Sequence, residues 1–124
     1  MMRITVLPNT DVPAYRQIYE QIAAQILAGT LRAGEALPPI RTVSREIGVS
    51  VITVRGAWDA LEADGLIETR VGSGCYVAAL SAPDRSALRE EALRPALTGL
   101  VTTAKSLGFT ADAVCERVRA QYQK

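Results

Sequence analysis

The stretch from Pro39 to Val77 leaves a chain of this kind little choice of fold. From Pro39 to Ile47 the apolar residues are Ile40, Val43 and Ile47, which is helical spacing. Gly48 interrupts the pattern, and a turn containing Gly is what joins the two helices of a helix-turn-helix. Ser50 offers its hydroxyl to the free amides of a second helix, as an N-cap. That helix is expected from Val51 to Asp64, with Val54, Ala57, Trp58 and Leu61 on one inward face. Gly65 ends it. Leu66 to Arg70 and Cys75 to Ala78 alternate like strands, and Gly72-Ser73 between them signals a hairpin. Helix, turn, helix, hairpin is the order of a helix-turn-helix followed by a wing.

The outward face of the second helix carries Val51, Ile52, Arg55, Gly56 and Asp59. Two branched apolar residues in the first turn of an exposed face are unusual. A plain account lodges them in a crevice. A helix N-terminus set in the major groove of double-stranded DNA gives them a task, because apolar side chains contact thymine methyls. The wing tip carries Arg70 and little bulk, so it can approach the sugar-phosphate backbone or enter a minor groove.

A chain of 124 residues holds one domain, or a small domain with an appendage. Its apolar content of 48% is enough for a core and argues against disorder. No apolar run approaches the length of a membrane span, and no basic segment followed by an apolar core marks a signal peptide. A cytoplasmic location is the expectation. Cys75 and Cys115 stand far apart and there is no histidine, so a zinc site of the common types is excluded and no metal or cofactor is expected. Both cysteines are read as reduced, part-buried, small apolar residues, with a redox-sensing Cys75 as the sharper alternative.

Net charge is only +1, so bulk electrostatics do not announce nucleic acid. Up to Ala79 there are seven Arg (3, 16, 32, 41, 45, 55, 70) against eight acids (11, 20, 35, 46, 59, 62, 64, 68). Placement carries the inference instead. Arg41, Arg45, Arg55 and Arg70 fall on the proposed binding side, while Asp59, Glu62 and Asp64 lie toward the far end of the second helix.

Ahead of this stretch, Arg3 to Leu7 is β-prone and is expected to add an edge strand to the hairpin. A first helix is expected from Pro13, as N1, to Ala28, with Ile18, Ile22 and Ile26 inward. The fold class is therefore mainly α with a small β-hairpin: a winged helix-turn-helix over residues 1–79, then a short two-helix tail over residues 80–124. In the tail, Leu93, Leu97, Leu100, Val101, Ala104 and Leu107 form an apolar stripe. Pro95 either kinks a long helix from about Asp84 or begins a shorter one; the long helix is the favoured reading. Gly108 closes it, and Thr110 caps a last helix whose Val114, Val118 and Tyr122 are expected to face inward, with Phe109 stapled onto Val114. Two helices of this size cannot bury their apolar face alone. Either the tail folds back on its own winged helix, or, as preferred here, two chains pair their tails into a homodimer.

Residues Pro13 to Val77 resemble the DNA-binding domain of the GntR family of bacterial transcription regulators. The runs that carry the likeness are P-A-Y-R-Q-I, then L-A-G-T-L-R-A-G-E-A-L-P-P-I-R, then G-V-S-V-I-T-V-R-G-A-W-D-A-L-E-A-D-G-L-I-E-T-R-V-G-S-G-C-Y-V. The short tail with S-L-G-F-T between its helices looks like the YtrA subfamily. The resemblance implies a dimeric, sequence-specific repressor on a palindromic operator, often governing transporter operons. It assigns phosphate or guanine contact to Arg41, recognition-helix contacts to Ser50, Thr53 and Arg55, and wing roles to Gly72 and Gly74, with Ser73 between them. The plain alternatives are solvated arginines, a helix-start threonine and turn-forming glycines. The chain departs from the family at Pro39, where Ser is usual, at Val51 and Ile52, where polar residues or Pro are common, at Cys75 and at Gly56. A winged-helix module for protein-protein contact is the competing function. An enzyme is disfavoured, since no nucleophile signature or phosphate-cradling loop ending in Lys is present. No polar cluster on the tail argues for a small-molecule effector.

Overall fold

The computed structural model describes residues 3–124. Its elements run α1 (Ala14–Ala28), α2 (Ile40–Ile47), α3 (Val51–Ala63), β1 (Ile67–Arg70), β2 (Gly74–Val77), α4 (Ala82–Ser106) and α5 (Ala111–Tyr122). The fold is mainly helical with one antiparallel hairpin, as the sequence pattern requires. Contacts divide the chain into two compact units, the first ending at Arg85 and the second being Ser86–Lys124. The first turn of α4 thus stays with the winged helix, beyond the change of composition after Ala79. Arg85 contributes to this: its guanidinium donates to the Ile26 carbonyl at 3.4 Å, and a cation suits the carboxyl end of α1.

The core of the first unit comes from the periodic faces. Ile18, Ile22 and Ile26 of α1 are buried against Val54, Ala57, Trp58 and Leu61 of the helix α3, with Val43 of α2 and Leu66, Ile67 and Val77 of the hairpin. Burying a large aliphatic side chain contributes about 1.5–3 kcal/mol, so this set supplies most of the driving force. Pro13 and Pro39 sit one residue earlier than expected. Each is the N-cap rather than the first helical residue, with φ near −57° and an extended ψ of 150° and 145°. Neither has a side-chain cap; backbone carbonyls of the two prolines accept from Gln17 and Val43 at 3.1 Å.

The segment Arg3–Leu7 is extended but does not join the hairpin. It lies along α1, paired with glutamine side chains. Gln25 bonds both the N–H and the C=O of Arg3 (3.2 and 2.7 Å), Gln21 those of Thr5 (2.8 and 2.6 Å), and Gln17 those of Leu7 (2.8 and 3.0 Å). The geometry explains the match. Four helical residues advance about 6.0 Å, and two extended residues about 6.6 Å. A glutamine on every fourth residue therefore meets every second residue of the extended segment. The place beside β2 is taken by residues 34–37. Leu37 N–H bonds Cys75 O (2.9 Å), Gly34 N–H bonds Val77 O (2.8 Å), and Val77 N–H bonds Glu35 O (2.9 Å).

In the second unit α4 is one helix with Pro95 inside it, so the long-helix reading holds. Pro95 has no N–H, which leaves the Glu91 carbonyl without its helical partner. Gly108 turns the chain at φ +84°, and Thr110 caps α5 by accepting from Ala113 N–H at 3.1 Å. Only Ala104 of the apolar stripe is buried. Val118 and Tyr122 are exposed rather than inward, and Val114 is half-buried. Two helices enclose too little volume to cover both faces. Cys115 is likewise exposed, not part-buried, while Cys75 is half-buried.

Candidate nucleic-acid interface

The turn between α2 and α3 is built from short-range bonds. Gly48 adopts φ +72°, a left-handed conformation that favours glycine, and its N–H and that of Val49 both reach the Ser44 carbonyl. The Ser44 hydroxyl donates to the Val49 carbonyl. These bonds fix the angle at which α3 leaves the turn. Ser50 then caps α3: its Oγ accepts from Thr53 N–H at 3.1 Å and lies 2.7 Å from the Thr53 hydroxyl. Both residues predicted as contacts are thus first engaged with each other.

The outer stripe of α3 is Ile52, Arg55 and Asp59, all exposed, with Gly56 half-buried beside them. Ile52 is 81% exposed, so its side chain stands largely in solvent. Val51 and Thr53 are half-buried. Arg41 and Arg55 are exposed and, among the described residues, neither enters a salt bridge or side-chain hydrogen bond. Two free guanidinium forks beside an apolar leading turn can meet phosphate or a guanine edge. Asp59, one turn further along, disfavours phosphate there.

Beside this stripe lies a shallow, mostly apolar cleft of about 390 Å³, lined by Pro13, Ala14, Tyr15, Ile52, Thr53 and Gly56. A Cβ added at Gly56 would meet Tyr15 Cβ at 3.8 Å, an ordinary contact. The neighbours of this glycine therefore leave room for a side-chain carbon. Further along, the Tyr19 hydroxyl donates to Asp64 and pins α1 to the end of α3. Burial first, then the bond to Asp64 and its negative charge, push the Tyr19 hydroxyl up to about 12.

The wing pairs Ile67 with Val77, Glu68 with Tyr76, Thr69 with Cys75 and Arg70 with Gly74. Its tip closes by Ser73 N–H to Arg70 O at 2.9 Å, and Gly72 and Gly74 take φ +77° and +130°. The Ser73 hydroxyl bonds the Tyr76 hydroxyl. Arg70 lies over the Tyr76 ring (4.1 Å to its centre) and pairs with Glu68 at 3.1 Å. It is braced on the wing rather than free. Val71, at the very tip, is fully exposed. Sequence reasoning passed over it, although an apolar residue between Arg70 and Gly72 was a visible signal. The tail residues Leu93, Leu97, Leu100, Val101, Leu107 and Val118 form a separate exposed apolar surface in the second unit.

Comparison with known proteins gives this geometry a family. The profile described as "Bacterial regulatory proteins, gntR family" matches residues 14–77, more than half of the chain. The HTH-type transcriptional regulator YhcF of Bacillus subtilis is 30% identical over 90% of this chain and 91% of its own length. The HTH-type transcriptional repressor YtrA of the same organism is 35% identical over 60% of this chain and 57% of its own. The probable rhizopine catabolism regulatory protein MocR of Rhizobium meliloti is 50% identical over 58% of this chain, which spans only 15% of MocR. Among solved structures, a GntR family transcriptional regulator from Listeria monocytogenes shares the fold, with a TM-score of 0.80 at 23% identity over 90% of this chain and 97% of that one. The DNA-binding domain of AraR, solved in complex with operator ORX1, is 29% identical, covers 63% of this chain and 100% of its own, and has a TM-score of 0.55. The helix-turn-helix, the wing and the short helical tail belong together: this chain is a member of the GntR family of transcription regulators, of the YtrA-like kind, with a DNA-binding domain at its front.

Proposed function

We propose that the chain acts as a homodimeric repressor that binds a palindromic operator. The observation that carries the proposal is the exposed leading turn of α3, with Ile52 open to solvent and with Arg41 and Arg55 exposed and unpaired among the described residues. In this reading α3 enters the major groove, Arg41 and Arg55 hold phosphate or guanine, and Ser50, Val51, Ile52 and Thr53 make up the leading contact surface. Arg70, Val71, Gly72, Ser73 and Gly74 bring the wing to the flanking backbone or minor groove. The AraR domain, similar over the same elements, is known bound to an operator, which supports the same use here.

Dimerisation is proposed through Leu93, Leu97, Leu100, Val101, Ala104, Leu107, Val114 and Val118. Leu93, Leu97, Leu100, Ala104 and Leu107 are spaced alternately by four and three, the seam of a helix that packs on another. Most of that seam lies in solvent in the single chain, and a second tail would cover it. Two recognition helices about one turn of DNA apart then read the two halves of a palindrome.

The test is a titration of a palindromic fragment from upstream of the chain's own operon, against a scrambled fragment, at several salt concentrations. Preferential binding whose log K falls steeply with log salt is expected, because arginine-phosphate contacts release counterions. Equal, weak binding to both fragments would favour the winged-helix protein-contact module, the reading to which the exposed Ile52 and Val71 also lend themselves.

A further inference from the structure

We infer that the leading turn of α3 reads the C5 methyl groups of thymines in each half-site, with Ile52 as the side chain that sets this specificity. The inference rests on the proposed DNA-binding function and names the chemical group recognised. Four observations converge. First, Ile52 is 81% exposed on the same stripe as Arg55, and nothing in the described chain covers it. Second, it is not an isolated surface residue. It lines the shallow apolar cleft together with Ala14, Tyr15 and Gly56. Third, the two hydroxyls of the leading turn, on Ser50 and Thr53, bond each other. Beside that pair, the apolar part of what the turn presents to a partner is Val51 and Ile52. Fourth, the exposed Arg55 lies one turn along the same face of α3, and it and the exposed Arg41 of α2 have no side-chain partner among the described residues, so the surroundings suit a polyanion better than an apolar protein face.

Within a major groove only one edge group is apolar, the thymine methyl. The half-site then follows from the stripe: thymine opposite Ile52, and a guanine or phosphate within reach of Arg55 one turn further on. Deoxyuridine, which lacks only the methyl, is the matched probe.

The test uses the full chain and the duplex most enriched by it from a randomised pool, synthesised once with thymine and once with deoxyuridine in its place. Wild type is expected to bind the thymine duplex about fourfold more tightly for each methyl contacted, the factor that burial of one methyl-sized group supplies. Ile52→Ala is expected to bind the thymine duplex more weakly than wild type does and to show a smaller preference for it over the deoxyuridine duplex. Because Ile52 is exposed, this variant keeps its melting temperature. Equal wild-type affinity for both duplexes overturns methyl readout while leaving DNA binding intact. Undiminished discrimination in Ile52→Ala, or unchanged affinity of that variant for both duplexes, overturns the role of Ile52. Failure to enrich any sequence removes the DNA-binding reading, and the inference with it.

Discussion

Arg41 and Arg55 carry the heaviest burden in the proposed docking at the level of single side chains, because both are exposed and neither is tied to a neighbour among the described residues. Truncating either to alanine is expected to cost about 1–3 kcal/mol of operator binding. Melting temperature should not change, since no intramolecular bond is lost. Fluorescence anisotropy with a labelled operator measures the first, calorimetry the second; unchanged affinity in both variants would refute the docking. Gly56 is a different case. It sits in a helix interior, where glycine costs about 1 kcal/mol relative to alanine. The structure gives an added Cβ only an ordinary 3.8 Å neighbour. Gly56→Ala is therefore expected to raise stability by about 0.5–1 kcal/mol, read as a higher urea midpoint. Tyr19 links stability to pH. Its hydroxyl is held up to about 12 against an ordinary 10, so folding favours the neutral phenol. That contribution is complete below pH 10 and declines as pH rises from 10 toward 12. Tyr19→Phe should be somewhat less stable at neutral pH, having lost the bond to Asp64, and should lose stability less steeply over that window. Identical alkaline slopes for the two proteins would contradict the assignment.

At the level of elements, the glutamine row on α1 makes a sharp prediction. The amides of Arg3, Thr5 and Leu7 donate to Gln25, Gln21 and Gln17, whereas those of Ile4 and Val6 have no partner among the described residues. Amide exchange followed by NMR should alternate along the segment, slow at residues 3, 5 and 7 and fast at 4 and 6. Gln21→Leu should abolish the protection at Thr5; uniform exchange along the segment would contradict the pairing. This element also marks where the sequence was legible and where it was not. The faces of α1 and α3, the Gly48 turn, the Ser50 and Thr110 caps and the hairpin all rest on local periodicity and local bonds, so they could be read directly. The β-prone run Arg3–Leu7 does not become the expected edge strand of the hairpin, because β propensity is silent about the side-chain amides of α1 that take its backbone groups. The spacing of Gln17, Gln21 and Gln25 was the available clue. Residues 34–37 contain no β-branched residue, and only long-range pairing with β2 makes them strand-like. The exposure of Ile52 and of the Arg41 and Arg55 forks followed from the helical wheel. The mutual bonding of Ser50 and Thr53, the tethering of Arg70 to Glu68 and Tyr76, and the full exposure of Val71 needed coordinates.

For the molecule as a whole, the account joins a DNA-binding face in one unit to an uncovered apolar seam in the other. The tail was legible as two helices with an apolar stripe. What covers the stripe was not, since the covering surface is proposed to lie on a second chain. An acidic side chain in the middle of that seam places a charge where the proposed dimer requires apolar contact, which is costly without a partner charge. Leu97→Asp or Leu100→Asp should therefore yield folded monomers, as both residues are exposed in the single chain. The decisive experiment is footprinting of the native upstream DNA by wild type and Leu97→Asp, with sedimentation run on the same samples. The account predicts that dimeric wild type protects two half-sites with centres about 10 base pairs apart. It also predicts that the monomeric variant protects neither at the same concentration. A wild type that sediments as a monomer, or a Leu97→Asp monomer that protects the same pair of half-sites, would contradict it.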